Sequence, residues 1–152
     1  MNFANTVRID RRPAEVFAFL ARFENIPQWN YAISETRNEA GGPVGVGSRY
    51  RQTRTLPTRS EETFVVTEFE PDRRLSIRGA LGPFHGDITY VLEPAGNGTI
   101  LSNTMSLQAS GPLRVVAPLA TSRVKEAVAA NLGTLKEILE RRAANRSTGT
   151  AS

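Results

Sequence analysis

A chain of 152 residues without cysteine is most economically one domain, large enough to bury a core with no disulfide framework or zinc-thiolate site. The formal charge of +4 is no nucleic-acid signature. Three of the 19 basic residues are Arg141, Arg142 and Arg146, which leaves 16 dispersed over the rest against 15 acidic ones. Arginine supplies 17 of the 19, a composition read as base bias in a GC-rich, bacterial genome. The longest apolar run, Val115 to Ala120, falls far short of the ~20 residues of a membrane span. With no signal peptide at Met1 to Thr6, a cytoplasmic location is expected.

Along the chain, Asn2 to Ile9 alternates Phe3, Asn5, Val7 and Ile9 against polar neighbours, as a half-buried strand does. Pro13 then stands at a first helical position with Glu15 in the first turn, and Val16, Phe17, Leu20 and Phe23 follow at helical steps. Pro27 opens a second short helix, which points Trp29 and Ile33 inward. From Ser34 on, turn signals divide the sequence into six runs of strand length: Ser34 to Glu39, Ser48 to Thr55, Ser60 to Phe69, Leu75 to Leu81, Phe84 to Glu93 and Thr99 to Gln108. Short connections make them antiparallel neighbours. Leu75, Ile77, Gly79 and Leu81 share one inner face. Ile88, Tyr90 and Leu92 share a second, and Leu101, Asn103, Met105 and Leu107 a third. The strand around 63–69 stays undecided, because Phe64 and Val66 compete with Val65 and Phe69 for the inner side.

After Gly111-Pro112 comes one long helix, Leu113 to Ala143, with an inward stripe of Ala117, Ala120, Val124, Val128, Leu132, Leu135 and Leu139. At 1.5 Å per residue it reaches roughly 45 Å, enough to cross a sheet. A kink is expected at Pro118, and a disordered tail over 144–152. The order of one strand, two small helices, six strands and a long helix predicts an α+β domain with helices on one face of an antiparallel sheet, over residues 1–143.

Several pieces together resemble a known family: Pro13-Ala14-Glu15-Val16-Phe17, Ile26-Pro27-Gln28-Trp29, Val46-Gly47-Ser48-Arg49-Tyr50, the run from Val66 to Leu75, Gly98-Thr99, and Leu135 to Glu140. In their order they resemble the polyketide cyclase/dehydrase-like proteins of the START and birch-pollen-allergen (SRPBCC) superfamily, over roughly residues 3–142. The resemblance implies a helix-grip: a curved seven-stranded antiparallel sheet closing on the C-terminal helix, with an apolar ligand cavity between. It transfers no catalytic residue, because such folds serve cyclases, lipid carriers and other binders alike.

The helix stripe argues for a cavity from the residues themselves. Its first half is small (Ala120, Thr121, Val124, Ala127) and its second half large, so that a pocket or closer packing must lie under the first. The expected lining is Trp29, Tyr50, Gln52, Tyr90, Asn103 and Met105 from the body, with Ala120, Val124, Ala127 and Asn131 from the helix. Asn131 needs a partner, for which Asn103 or Tyr90 is the natural candidate, and Trp29 is expected to bond its indole nitrogen locally. Arg54 and Arg78 are expected at the surface. His85, the lone histidine, and Asp87 are expected on the outer face unless Gly86 introduces a bulge that turns them inward, where the carboxylate could orient the imidazole as a general base. The glycines Gly41, Gly42, Gly45 and Gly47 have no helix or lysine after them and read as a hairpin tip, not a phosphate loop.

The reading is therefore a binder of a hydrophobic or aromatic small molecule. It has no metal or cofactor, no nucleic-acid partner and an open oligomeric state. An active cyclase or dehydratase on a polyketide-like substrate, and an interaction module with a vestigial cavity, are the alternatives.

Overall fold

The computed structural model describes residues 1–109, 111 and 113–149, with side chains for 1–109, 111 and 120–142. Seven strands form one antiparallel sheet in the order β1-β7-β6-β5-β4-β3-β2. The strands are β1 (Asn2–Ile9), β2 (Ile33–Asn38), β3 (Arg49–Arg54), β4 (Ser60–Glu70), β5 (Arg74–Leu81), β6 (Phe84–Ala95) and β7 (Gly98–Ala109). Between β1 and β2 lie α1 (Pro13–Ala21), a 3-10 turn at Phe23–Asn25 and α2 (Ile26–Trp29). The long helix α3 (Leu113–Gly149) starts where the periodicity places it and extends past Ala143. The Pro118 kink and the tail expected from residue 144 fall outside the residues described with side chains.

Residues expected on the inner face of β5, β6 and β7 do face the core: Leu75, Ile77, Ile88, Leu92, Leu101 and Leu107 are all buried there. The undecided strand is resolved by a bulge. In β4, Glu62, Phe64 and Val66 point inward up to a register shift between Val66 and Glu68. The extra residue flips the alternation, so Phe69 also turns inward, opposite Leu75 and edge-on to Phe17 at 5.3 Å. Phe64 and Val66 thus hold the inner face before the bulge and Phe69 after it, while Val65, opposite the exposed Arg78, faces out.

Two glycines meet across β5 and β6, Gly79 opposite Gly86, in the row that continues to Phe64 on one side and Leu107 on the other. A Cβ at Gly79 would stand 2.6 Å from the Phe64 Cβ, and one at Gly86 (φ 155°) would stand 2.0 Å from the Ser106 carbonyl oxygen. Only glycine fits either place.

The sheet's concave side is filled unequally. Toward α1 an aromatic cluster closes it: Tyr50 stacks on Phe64 at 5.3 Å, and Phe23 stands edge-on to both at 4.8 and 5.2 Å. The C-terminal half of α3 is pinned to the same end. Lys136 Nζ donates to the Arg8 carbonyl at 2.6 Å, Glu140 Oε2 accepts the Asp10 N–H at 2.9 Å, and Arg11 Nη1 donates to the Leu139 carbonyl at 3.2 Å. Arg142 lies over the Phe19 ring at 5.0 Å, and Leu132, Leu135 and Leu139 are buried beneath. Farther back along α3, the small-residue half spans open space.

Candidate functional site

That space is a cavity of about 540 Å³ between the concave sheet and α3. Its roof is Val124, Ala127, Val128, Asn131 and Leu132 of α3. The floor comes from Phe64 of β4, Ile77 and Gly79 of β5, Ile88 and Tyr90 of β6, and Met105 of β7. Ile26 and Trp29 of α2 close one side. The cavity exists because Gly79 and Ala127 contribute almost no volume where neighbouring positions carry large side chains; packing at crystal-like density elsewhere leaves the void here. At the mouth stand Tyr31, 61% exposed, and Leu56, 47% exposed, with Pro57, Pro83 and the exposed Arg123.

Polar groups enter this apolar chamber in two different states. On β3 and β4 they satisfy one another. Arg54 Nε and Nη2 donate to the Glu62 carboxylate at 3.0 and 2.8 Å, and Gln52 Nε2 donates to it at 2.6 Å. The backbone N–H of Gly82, in the β5–β6 turn, adds a fourth bond at 2.9 Å. Gln52 in turn accepts from the Thr36 hydroxyl at 3.3 Å. The Arg54 and Glu62 side chains are 9% and 2% exposed, so Arg54 belongs to the cavity wall and not to the surface. The correction follows from register: Arg54 shares the inward face of Tyr50 and Gln52, and Glu62, opposite Gln52 on β4 and diagonal to Arg54, supplies the charge that makes its burial tolerable.

Other polar atoms are left without partners. Neither Asn131 Oδ1 nor Trp29 Nε1 has a hydrogen-bond partner although both are buried, so the internal bonds expected for them are not made. Asn103 is fully buried with both amide atoms unpartnered. Its neighbours across the strands, Tyr90 and Asn5, do not bond to it, and the Asn5 amide instead donates to the Lys125 carbonyl at 3.2 Å. Burial pushes the Tyr90 hydroxyl far above the usual tyrosine range, so it remains a neutral donor at any physiological pH.

Seven of the ten residues expected to line a site meet at this cavity: Trp29, Gln52, Tyr90 and Met105 from the body, and Val124, Ala127 and Asn131 from α3. Three do not. Tyr50 turns toward α1 and borders a separate groove of about 400 Å³ with Phe17, Ala18 and Val44. Its hydroxyl accepts from Asn38 Nδ2 at 3.4 Å. Burial, with Glu24 adding to it, raises the Tyr50 pKa against that hydrogen bond. Asn103 is sealed beneath the floor, and Ala120 lies beyond the roof. His85 is exposed, and Asp87 pairs with Arg78 at 2.8 Å on the outer face, as its strand position requires. Arg54 is the lining residue that sequence reasoning set aside, and Glu62 the partner it missed. A usable signal was present: assigning Phe64 and Val66 inward places Glu62 inward as well, two residues earlier.

A curved seven-stranded sheet gripping a long C-terminal helix, with a mostly apolar chamber between them, defines a helix-grip domain. The chain belongs to the family described as polyketide cyclase / dehydrase and lipid transport, whose model matches residues 1–140. Among solved structures it is similar to TTHA0849 from Thermus thermophilus, at 17% identity over 93% of this chain and 99% of that one, with a TM-score of 0.78. It is similar to the Zhui aromatase/cyclase of a Streptomyces species, at 14% identity over 94% and 95%, TM-score 0.73. Ara h 8.0201 is similar at 12% identity over 93% and 98%, TM-score 0.72. At such identities the likeness is one of fold. No curated protein matches the sequence. Among the described residues, no helix is long and apolar enough to cross a membrane.

Proposed function

We propose that the protein binds a hydrophobic or aromatic small molecule inside this cavity. The carrying observation is the chamber itself: about 540 Å³, walled mainly by aliphatic and aromatic side chains, within the usual range for small-molecule sites. A flat molecule would lie between the Val124-to-Leu132 roof and the β5–β7 floor. Its polar substituents would find the Tyr90 hydroxyl and the Nδ2 group of Asn131, both residues of the lining. The family description, which spans polyketide enzymes and lipid transport, is consistent with this reading. An open chamber does not favour the interaction-module alternative.

Catalysis is the second reading, supported by the presence of Arg54 and a permanently protonated Tyr90 in one chamber, groups able to polarise a carbonyl in a cyclisation or dehydration. Such a reaction also needs a base. Among the described lining residues there is no carboxylate, and Glu62, bonded to the lining residues Arg54 and Gln52, already accepts from them and from the Gly82 N–H, which leaves it poorly placed to take a proton. Binding without turnover is therefore the better supported function.

Native mass spectrometry of protein purified from its own host tests it: a co-purifying small molecule is expected, together with a thermal shift by some member of a panel of polyketides, quinones and lipids. No adduct and no shift across that panel would contradict it. Conversion of a polyketide-like compound, lost in Tyr90→Phe, would move the second reading to first place.

A further inference from the structure

The chamber wall contains an ion pair that an apolar ligand has no use for. Glu62 sits directly behind Arg54, and all of its bonds, from Arg54 Nε and Nη2, Gln52 Nε2 and the Gly82 N–H, converge on one carboxylate. Arg54 lines the cavity and also reaches the Leu56 carbonyl at 3.5 Å. The guanidinium is thus presented to the chamber with its charge already compensated. Among the described lining residues the only other ionised group is Arg123, which stands in solvent at the mouth.

We propose that Glu62 is a specificity-determining residue: by neutralising Arg54 it makes the chamber select neutral aromatic molecules over anionic ones of the same shape. The inference rests on the ligand-binding reading and says which charge class that ligand has. An anion entering the chamber gives up its hydration, and only an uncompensated cation could replace it. Arg54 is a much weaker anion partner while the Glu62 oxygen lies 2.8 Å from it, because the carboxylate's repulsion offsets a large part of the guanidinium's attraction for an incoming anion. A neutral carbonyl or phenol oxygen requires only a hydrogen bond. The part of the guanidinium not engaged by Glu62 and the Tyr90 hydroxyl can both donate one. Removing the carboxylate charge turns the same wall into an anion site.

Two fluorescent probes with one ring system test this: N-phenyl-1-naphthylamine, which is neutral, and 1-anilinonaphthalene-8-sulfonate, which carries a sulfonate. Titrations at ~0.15 M salt screen the solvent-exposed Arg123. Wild-type protein is expected to bind the neutral probe at least about tenfold more tightly. In Glu62→Gln, with folding checked by circular dichroism, the preference should shrink by about tenfold or invert. In the double variant Arg54→Gln/Glu62→Gln, which removes both charges, it should return to the wild-type value. Equal binding of both probes by the wild type overturns the inference while leaving the binding site standing, and so does an unchanged preference in a folded Glu62→Gln. Should Glu62→Gln not fold, Arg54→Gln decides the matter: with the carboxylate left uncompensated the preference for the neutral probe should grow by about tenfold, and an unchanged preference overturns the inference. Binding of neither probe by the wild type overturns the ligand-binding reading and this inference with it.

Discussion

Arg54 holds Glu62 through two parallel hydrogen bonds, 3.0 Å from Nε and 2.8 Å from Nη2, across the β3–β4 pair. The same carboxylate takes the Gly82 N–H, so one buried charge ties two neighbouring strands to the turn that borders the cavity mouth. Removing either partner strands the other in a medium that solvates it poorly. Glu62→Gln is expected to lower stability by roughly 3–5 kcal/mol, whereas Arg54→Met combined with Glu62→Leu should be close to neutral. Urea denaturation of the variants measures this, and a loss below about 1 kcal/mol in Glu62→Gln would mean that the pair is far better hydrated than its burial implies.

The two buried asparagines separate stability from binding. Asn103 has both amide atoms unpartnered and lies outside the cavity lining, while Asn131 leaves Oδ1 unpartnered and forms part of the roof. Asn103→Leu and Asn131→Leu should each raise stability by about 1–3 kcal/mol. Ligand affinity should fall only in Asn131→Leu. Thermal melts with and without a bound ligand distinguish them, and equal effects of the two on affinity would remove Asn131 from the site.

How much of this was legible in the sequence depends on how local the deciding contact is. The α3 stripe was readable because its small half and its large half are both encoded in consecutive helical turns, and the void follows from Ala127 and Val124 facing Ile77 and Ile88. The β4 face was not, since the bulge at Val66/Glu68 superposes two alternations that no periodicity separates. Arg54 was misplaced for a related reason. An arginine near a strand end is ordinarily exposed, and its burial rests on Glu62, eight residues away and on the strand whose inner face was undecided. Tyr50 shares that inward face, yet Phe23 and Phe64 pack against it, so its ring serves the aromatic cluster instead of the cavity. Alternation gives a side of the sheet, not a position along it.

The anchor at the other end of α3 carries a pH dependence. Partial burial pushes the Glu140 carboxyl up, but the Lys136 ammonium and the Asp10 N–H outweigh it, and the pKa ends below its ordinary value of 4.5. A depressed carboxylate pKa stabilises the folded state above the unfolded value and ceases to do so as pH falls through the folded one. Glu140→Gln is therefore expected to lower stability at pH 7 by at most about 1 kcal/mol, because the Lys136 pair is partly solvated. The difference should close as pH drops below 4.5. Melting curves from pH 3 to 7 follow the trend, and a gap that persists at the acid end would place the effect in packing instead of charge.

The central claim is that the space under Val124 to Leu132 of α3 is a binding chamber, and filling it is the direct test. Ala127 contributes a single methyl to the roof, and Ala127→Phe puts a ring where the ligand would lie. Fluorescence titration with N-phenyl-1-naphthylamine should show saturable one-to-one binding to the wild type. A folded Ala127→Phe, with a melting temperature equal or higher, should show affinity weaker by about tenfold or more. Equal affinity for the probe in both proteins would contradict the account.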